Sequence, residues 1–203
     1  MYRNCMPLVL ASASPRRQEL LSRMGLRFDV IPSSIEENEA ALGDPWQGAR
    51  LCARKKAEAV AGRMQNGGDA WFLGVDTIVV LDREILGKPR DREEARNFLR
   101  KLSGRRHRVI SGYCLYRPQA SDRVENAVGS EVTLRAMAPA EIEAYLDTDE
   151  PYDKAGAYAA QGIGASLVET ITGSYTNVVG LPLAELVRDL LRCGVIEPGP
   201  GNG

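Results

Sequence analysis

An α/β fold, with a mixed twisted sheet and flanking helices, is predicted by three features of the sequence. Stretches with strand character alternate with stretches of helical periodicity. Two apolar runs, LVL at residues 8–10 and FLGVDTIVVL at residues 72–81, suit buried strands. No internal repeat, low-complexity block or long linker interrupts the alternation.

Each element has a local reason. After the strand at Leu8–Leu10, Ser14-Pro15 starts a helix, serine capping and proline in the first turn, and Gly25 ends it as a left-handed residue. Leu26 to Val30 alternates as a second strand would. The polar connection PSSIEENEAALGDP leads to a helix from Trp46 to Met64. Its stripe is Trp46, Ala49, Ala53, Ala57 and Val60 or Ala61, with Arg50, Arg54, Lys55 and Lys56 around it. Gly67-Gly68 closes this helix. A long strand, a turn near Asp82-Arg83 and a short return strand stopped by Pro89 follow. Asp91 to Leu102 is a helix with Asp91 as N-cap and Glu94 completing a capping box, and Gly104 closes it. RVISGYCLYR and SEVTLRAM are strand-like, Pro139 to Leu146 is a short helix, and DKAGAYAAQGIGASLVETITG supplies glycine-broken, strand-like backbone. Pro182 starts a last helix, Leu183 to Arg192, that Gly194 stops. The expected division is one domain over residues 1–194 and a loose tail over 195–203.

A chain of 203 residues that is 44% hydrophobic can bury a sizeable core. With 26 basic and 27 acidic residues the net charge is −1, so no global field draws the protein to nucleic acid or to a membrane, and any anion site must be local. The cysteines, Cys5, Cys52, Cys114 and Cys193, form no C-x-x-C pair, and His107 is the single histidine, which argues against zinc and against a disulfide framework. A reducing cytoplasm is the expected setting. No export pattern opens the sequence, and no apolar run approaches the roughly 18 residues of a membrane span.

The chemistry starts with Arg16 and Arg17, which stand at the positive end of the first helix. Each cation there costs on the order of 0.3–1 kcal/mol unless an anion meets it. Asp76 interrupts a run suited to burial, where a carboxylate needs a partner or a metal, and Gly74 two residues earlier admits close approach of a ligand or of another backbone. Glu36-Glu37 is by default a solvated pair; beside Asp76 it would suit a hard cation such as Mg²⁺ shared with substrate phosphates. Lys56 by default lies on a solvated face, and Lys88 is held extended before Pro89. Together these cations and a helix N-terminus describe a site for a chain of phosphates. It is not a P-loop, since no G-x-x-x-x-G-K-[ST] occurs, and no G-x-G-x-x-G follows the first strand. Thr77 completes the set with Gln161, whose glycine-flanked amide can face a ligand with little bulk around it.

The segments ASASPRRQELL, SIEEN, ARKKAEA, GVDTIVV, LGKPRD, LRKLSGRRHRVISG, DEPYDKAGAYAAQG and GSYTNVVGLPL, in this order from about Leu8 to Leu186, resemble the Maf family of nucleoside triphosphate pyrophosphatases. The resemblance implies a fold related in architecture to the inosine triphosphate pyrophosphatases, with two lobes around a nucleotide cleft. It implies cleavage between the α- and β-phosphates with Mg²⁺ or Mn²⁺, and a homodimer. Carried over motif by motif, Asp76 is the catalytic base and, with Glu37, lies at the metal. Ser12, Arg16, Arg17, Lys56 and Lys88 hold the phosphates, and Arg16, Thr77 and Gln161 set substrate preference. Val75 stands where the family usually has alanine, a change that touches no chemical group.

In the family, a glutamine in the A-x-x-Q-G setting goes with the branch acting on dTTP and UTP, and a glutamate there with the branch acting on 7-methylguanosine triphosphate. Thymine and uracil carry an N3–H donor beside carbonyl acceptors, a pattern that one glutamine amide satisfies. The implied partner is a nucleoside triphosphate, with dTTP and UTP the expected substrates and 7-methylguanosine triphosphate the alternative. Two other readings stay open at this point. One is a nucleotide-binding regulator of cell division, which has no need of a buried Asp76; the other is a nucleotidyl- or sugar-phosphate-transferring enzyme using the same cations and metal.

Overall fold

Over residues 1–35, 43–64 and 69–199, the part of the chain that the computed structural model describes, helices and strands alternate much as the residue pattern predicts. In chain order the elements are β1 (Tyr2–Asn4), β2 (Leu8–Leu10), α1 (Pro15–Arg23), β3 (Asp29–Val30), α2 (Pro45–Arg63), β4 (Trp71–Leu81), β5 (Glu84–Leu86) and α3 (Arg92–Leu102). They continue with β6 (Arg106–Arg117), β7 (Asp122–Leu134), α4 (Pro139–Leu146), β8 (Val168–Thr172), α5 (Tyr175–Val179), α6 (Leu183–Arg192) and β9 (Ile196–Pro198). The main sheet has the order β3-β2-β4-β6-β7-β8, with β5 paired to β4. It is mixed: β2 runs parallel to β3 and β4, whereas β4–β5 and β7–β8 are antiparallel.

The chain divides into two compact units. The first comprises Met1–Asp76, Ser111–Val128 and Gly180–Gly203, the second Thr77–Ile110 and Gly129–Val179. In the first unit the alanine stripe of α2 lies on the sheet at unusually close range. A Cβ on Gly74 of β4 would stand 2.0 Å from the Ala53 carbonyl oxygen and 2.8 Å from the Ala57 nitrogen, and one on Gly112 of β6 would stand 2.4 Å from the Ala49 oxygen. Gly74 therefore admits a neighbouring backbone, one of the two partners its sequence position allowed. Packed there are Val9, Ala53, Ala57, Val60, Phe72 and Cys114. Gly74→Ala has no side chain to push aside, only helix backbone. It is expected to destabilise the protein by about 1–3 kcal/mol, the usual cost of overpacking, and to lower activity by lifting α2 from β4. Thermal denaturation beside a turnover assay checks it; unchanged values for both would mean the close packing carries neither.

The second unit is built around α3, whose Ala95, Phe98, Leu99 and Leu102 meet Val109 of β6 and Leu134 of β7. The Asp91 carboxylate accepts from the Glu94 nitrogen at 2.8 Å, as predicted, but Glu94 returns its bond to the Arg90 nitrogen at 2.7 Å, so the box closes one residue early.

Four expectations are corrected, and two features lie outside the expectations altogether. Ser14 occupies the N-cap position of α1 without a side-chain cap; its own N–H donates to Ser12 Oγ at 3.3 Å. The strand over residues 26–30 shrinks to Asp29–Val30, because the Asn4 side chain takes both backbone groups of Arg27. The DKAGAYAAQGIGASL part of the expected strand-like stretch folds into 3-10 turns, since Gly156, Ala157 and Gly162 are left-handed (φ 71°, 59° and 71°). Helix α5 and the first half of β7 carry too little apolar pattern to be seen; α5 is capped by Ser174 Oγ, which accepts from the Asn177 nitrogen at 3.2 Å. The tail expected to be loose from residue 195 is held as far as Pro198, where β9 pairs antiparallel with β1.

Candidate active site

Within the first unit, a small polar cluster lies at the end of the first buried stretch of β4, residues 71–76. Asp76 is 4% exposed, and its Oδ1 accepts from Lys56 Nζ at 2.6 Å; Lys56 itself is 4% exposed. The pair exists because glycine at residue 74 lets α2 approach, which carries Lys56, three residues beyond Ala53, to the carboxylate. Lys56 is thus not on a solvated face. Its ammonium gives Asp76 the countercharge that burial demands.

Arg17 binds the same strand from the α1 side. Its Nη1 donates to the Val75 carbonyl at 3.1 Å and to Ser12 Oγ at 2.8 Å, and its Nε donates to the Gly180 carbonyl at 3.0 Å. Lys56 Nζ also lies 3.5 Å from the Val75 oxygen. One backbone carbonyl, next to Asp76, therefore gathers an arginine and a lysine, while Ser12 is buried beside them. Part of the cost of a cation at the α1 N-terminus is met inside the protein, by acceptors that the sequence pattern could not show. Arg16, half-buried, precedes Arg17 in the first turn of the helix.

Thr77, Lys88 and Gln161 belong to the second unit. Thr77 is half-buried on β4, and Lys88 is exposed on the segment that follows β5. That segment is anchored where the Gly156 N–H donates to the Gly87 carbonyl at 3.0 Å. Gly156, at φ 71°, has Val79 of β4 3.1 Å from the place of a Cβ, so the A-G-A turn favours glycine for its left-handed backbone and leaves little room for a side chain. Gln161 is half-buried at the start of the 3-10 turn Gly162–Leu167. Glu36 and Glu37, the candidate acidic pair, lie outside the described residues.

The structure thus brings together Ser12, Arg17, Lys56 and Asp76, with Arg16 adjacent in sequence. Residue patterns miss the Val75 and Gly180 carbonyls, which carry no side-chain signal, and a pair in the second unit, Tyr145 and Glu150, whose hydroxyl and carboxylate bond at 2.7 Å. A tyrosine on a short helix followed by D-E-P looks like an ordinary helix end.

Among the described residues no group of three or more His, Cys, Asp or Glu side chains could hold a metal ion. A hard cation of the Mg²⁺ type needs only one or two carboxylates when phosphates and water fill its other positions. The carboxylate of Asp76, an all-oxygen donor, fits that pattern. No described helix is long and apolar enough to cross a membrane.

A family model described as Maf-like protein matches residues 7–193. A dTTP/UTP pyrophosphatase of Syntrophotalea carbinolica is 50% identical over 190 residues, covering 94% of this chain and 86% of the relative. A dTTP/UTP pyrophosphatase of Geobacter sulfurreducens is 50% identical over 189 residues, covering 93% and 97%. The structure of the Staphylococcus aureus Ham1 protein matches with a TM-score of 0.51 at 13% identity, covering 92% of this chain and 98% of that one, a likeness of fold.

Proposed function

The chain belongs to the Maf family, and from that membership we propose that it hydrolyses dTTP and UTP to the nucleoside monophosphate and pyrophosphate. The observation that supports this most directly is the buried Lys56–Asp76 pair at 2.6 Å, set against the Ser12–Arg17 cluster. A carboxylate held in a dry strand beside cations is an expensive arrangement for a protein that only binds nucleotides.

In this reading Asp76 takes the proton of the water that attacks the α-phosphorus. Lys56 and Arg16 offer positive charge to the triphosphate. Arg17, held by Ser12 and by the Val75 and Gly180 carbonyls, braces β4 beside Asp76 and adds its positive charge there. Lys88 is assigned to the leaving β- and γ-phosphates, with Thr77, Gln161 and Arg16 assigned to substrate preference. A divalent cation, Mg²⁺ or Mn²⁺, held by Asp76 and Glu37, would neutralise phosphate charge and polarise the reacting phosphoryl oxygen. The cytoplasmic setting is read from the cysteine usage, and the homodimer from the family.

The test is to incubate the purified protein with UTP and Mg²⁺ in water and identify the products. The expected products are UMP and pyrophosphate, so a phosphate-detecting assay gives signal only after inorganic pyrophosphatase is added. Equal signal without the auxiliary enzyme would put the cleavage elsewhere. No product without an added acceptor would favour the transferase reading.

A further inference from the structure

We propose that Glu150, acting with Tyr145, is a positioning residue for base selection: it clamps the backbone on both sides of Gln161 and leaves that amide for the nucleotide. The proposal rests on the reading of Gln161 as the residue that meets the base.

The clamp has four bonds. Glu150 Oε1 accepts from the Ile163 nitrogen at 3.1 Å, and Oε2 accepts from the Gly164 nitrogen at 2.7 Å and from the Tyr145 hydroxyl at 2.7 Å. The same Tyr145 oxygen accepts from the Ala159 nitrogen at 3.2 Å, so one hydrogen-bonded chain grips the loop two residues before Gln161 and two and three residues after it. Glycine at residue 162 makes room for it. Its φ is 71°, and a Cβ there would lie 2.1 Å from Glu150 Oε1. Gly164 is as constrained, since a Cβ would stand 2.5 Å from the Ala159 oxygen and 2.6 Å from the Tyr145 hydroxyl. Tyr145 is buried, and burial together with the Glu150 carboxylate pushes its phenol pKa up, so it stays a donor. The Glu150 backbone is tied down in turn by Lys154, whose Nζ donates to its carbonyl at 2.6 Å.

Gln161 occupies the N-cap position of the turn Gly162–Leu167, where a side chain ordinarily satisfies the first N–H groups. Its side chain makes no such bond. Glu150 does that work from outside, with a charged acceptor that binds amide N–H groups more strongly than a carboxamide would. A residue that must read hydrogen-bonding edges of a base gains from a rigid backbone and a side chain not used locally, since a misplacement on the order of 1 Å costs as much as ~10²-fold in rate.

The experiment measures kcat/KM for UTP and for CTP, which share sugar and triphosphate and differ at the base edge. It uses the wild type, Glu150→Gln, Tyr145→Phe, Gln161→Ala and the double variant Glu150→Gln/Gln161→Ala. Hydrogen exchange at the Ile163 and Gly164 amides is followed in parallel. Glutamine keeps the shape of Glu150 but loses its charge and one acceptor, and Tyr145→Phe cuts the same chain while keeping the ring, so a folding failure of one leaves the other to decide. The expected result is faster exchange at both amides, a UTP-to-CTP preference lowered about tenfold or more in each of the two clamp variants, and no further loss when Glu150→Gln is added to Gln161→Ala. Faster exchange with an unchanged preference, or a loss that simply adds to that of Gln161→Ala, would overturn the proposal and leave Glu150 a structural staple. If Gln161→Ala itself leaves the preference intact, the reading of Gln161 fails and the proposal with it, an outcome distinct from failure of Glu150 alone.

Discussion

Replacement of Asp76 by asparagine is expected to lower kcat by roughly 10²–10⁴-fold, the usual cost of a lost general base, with the protein still folded and still able to bind UTP. The substitution keeps an oxygen where Oδ1 now accepts from Lys56 at 2.6 Å, so the hydrogen bond has a replacement and the packing of β4 is unchanged in volume. What disappears is the negative charge. With it goes the group that can take a proton from water and, in the proposed arrangement, the carboxylate that would hold the cation, which deepens the loss. Breaking the buried pair from this side costs stability too, and binding is expected to survive because Lys56 has one fewer anion competing with the phosphates. Single-turnover hydrolysis of UTP beside a binding titration separates the two. Near-normal turnover would take Asp76 out of the mechanism, and loss of binding together with activity would make the pair a substrate-binding device.

The elements with a strong period or an end signal were open to reading from the sequence. Helix α2 starts at a proline and α6 just after one, both carry long stripes, β4 is a long apolar run broken by Asp76 and Thr77, and Asp91 caps α3 through the Glu94 nitrogen as its type suggests. The elements that escaped have their hydrogen bonds decided elsewhere. Residues 26–30 look like a strand, but Asn4, more than twenty residues upstream, bonds both backbone groups of Arg27. The 153–167 stretch is rich in alanine and glycine, which carry no clear period of either kind, and left-handed backbone at Gly156, Ala157 and Gly162 turns it into 3-10 turns in place of a strand. Antiparallel pairing of Ile196–Pro198 with Tyr2–Asn4 joins the two ends of the described chain, a contact that no local pattern records.

Of the candidate site, Asp76 was legible because a carboxylate in an apolar run contradicts its surroundings, and such contradictions mark function. Lys56 was not legible as its partner. Its neighbours Arg54 and Lys55 make a basic stretch that looks solvated, and the side chain that turns inward is chosen by the approach of α2 to Gly74. Glu150 was invisible for a different reason: its role is to bond the N–H groups of Ile163 and Gly164, and a residue type does not state which backbone it will meet.

The second large effect is expected at Lys56. Lys56→Met keeps the length and apolar stem of the side chain but leaves Asp76, 4% exposed, without its cation. Breaking one side of a buried ion pair typically costs about 3–5 kcal/mol, which for a chain of this size is a fall in Tm of roughly 6–20 °C at ~2–4 °C per kcal/mol. Removing both charges behaves differently, since apolar replacement of a whole buried pair is often neutral or stabilising by about 1–4 kcal/mol. The double variant Lys56→Met/Asp76→Leu is therefore expected to recover most of the lost Tm. Activity is expected to fall in the single variant and to be absent in the double one, where the base and the cation are both gone. Thermal denaturation and turnover of the wild type, Lys56→Met, Asp76→Leu and the double variant complete the cycle. A Lys56→Met protein as stable as the wild type would mean that water reaches Asp76 when the ammonium leaves. A double variant that regains stability without activity would show a pair retained at a cost in stability, for what it does to substrate.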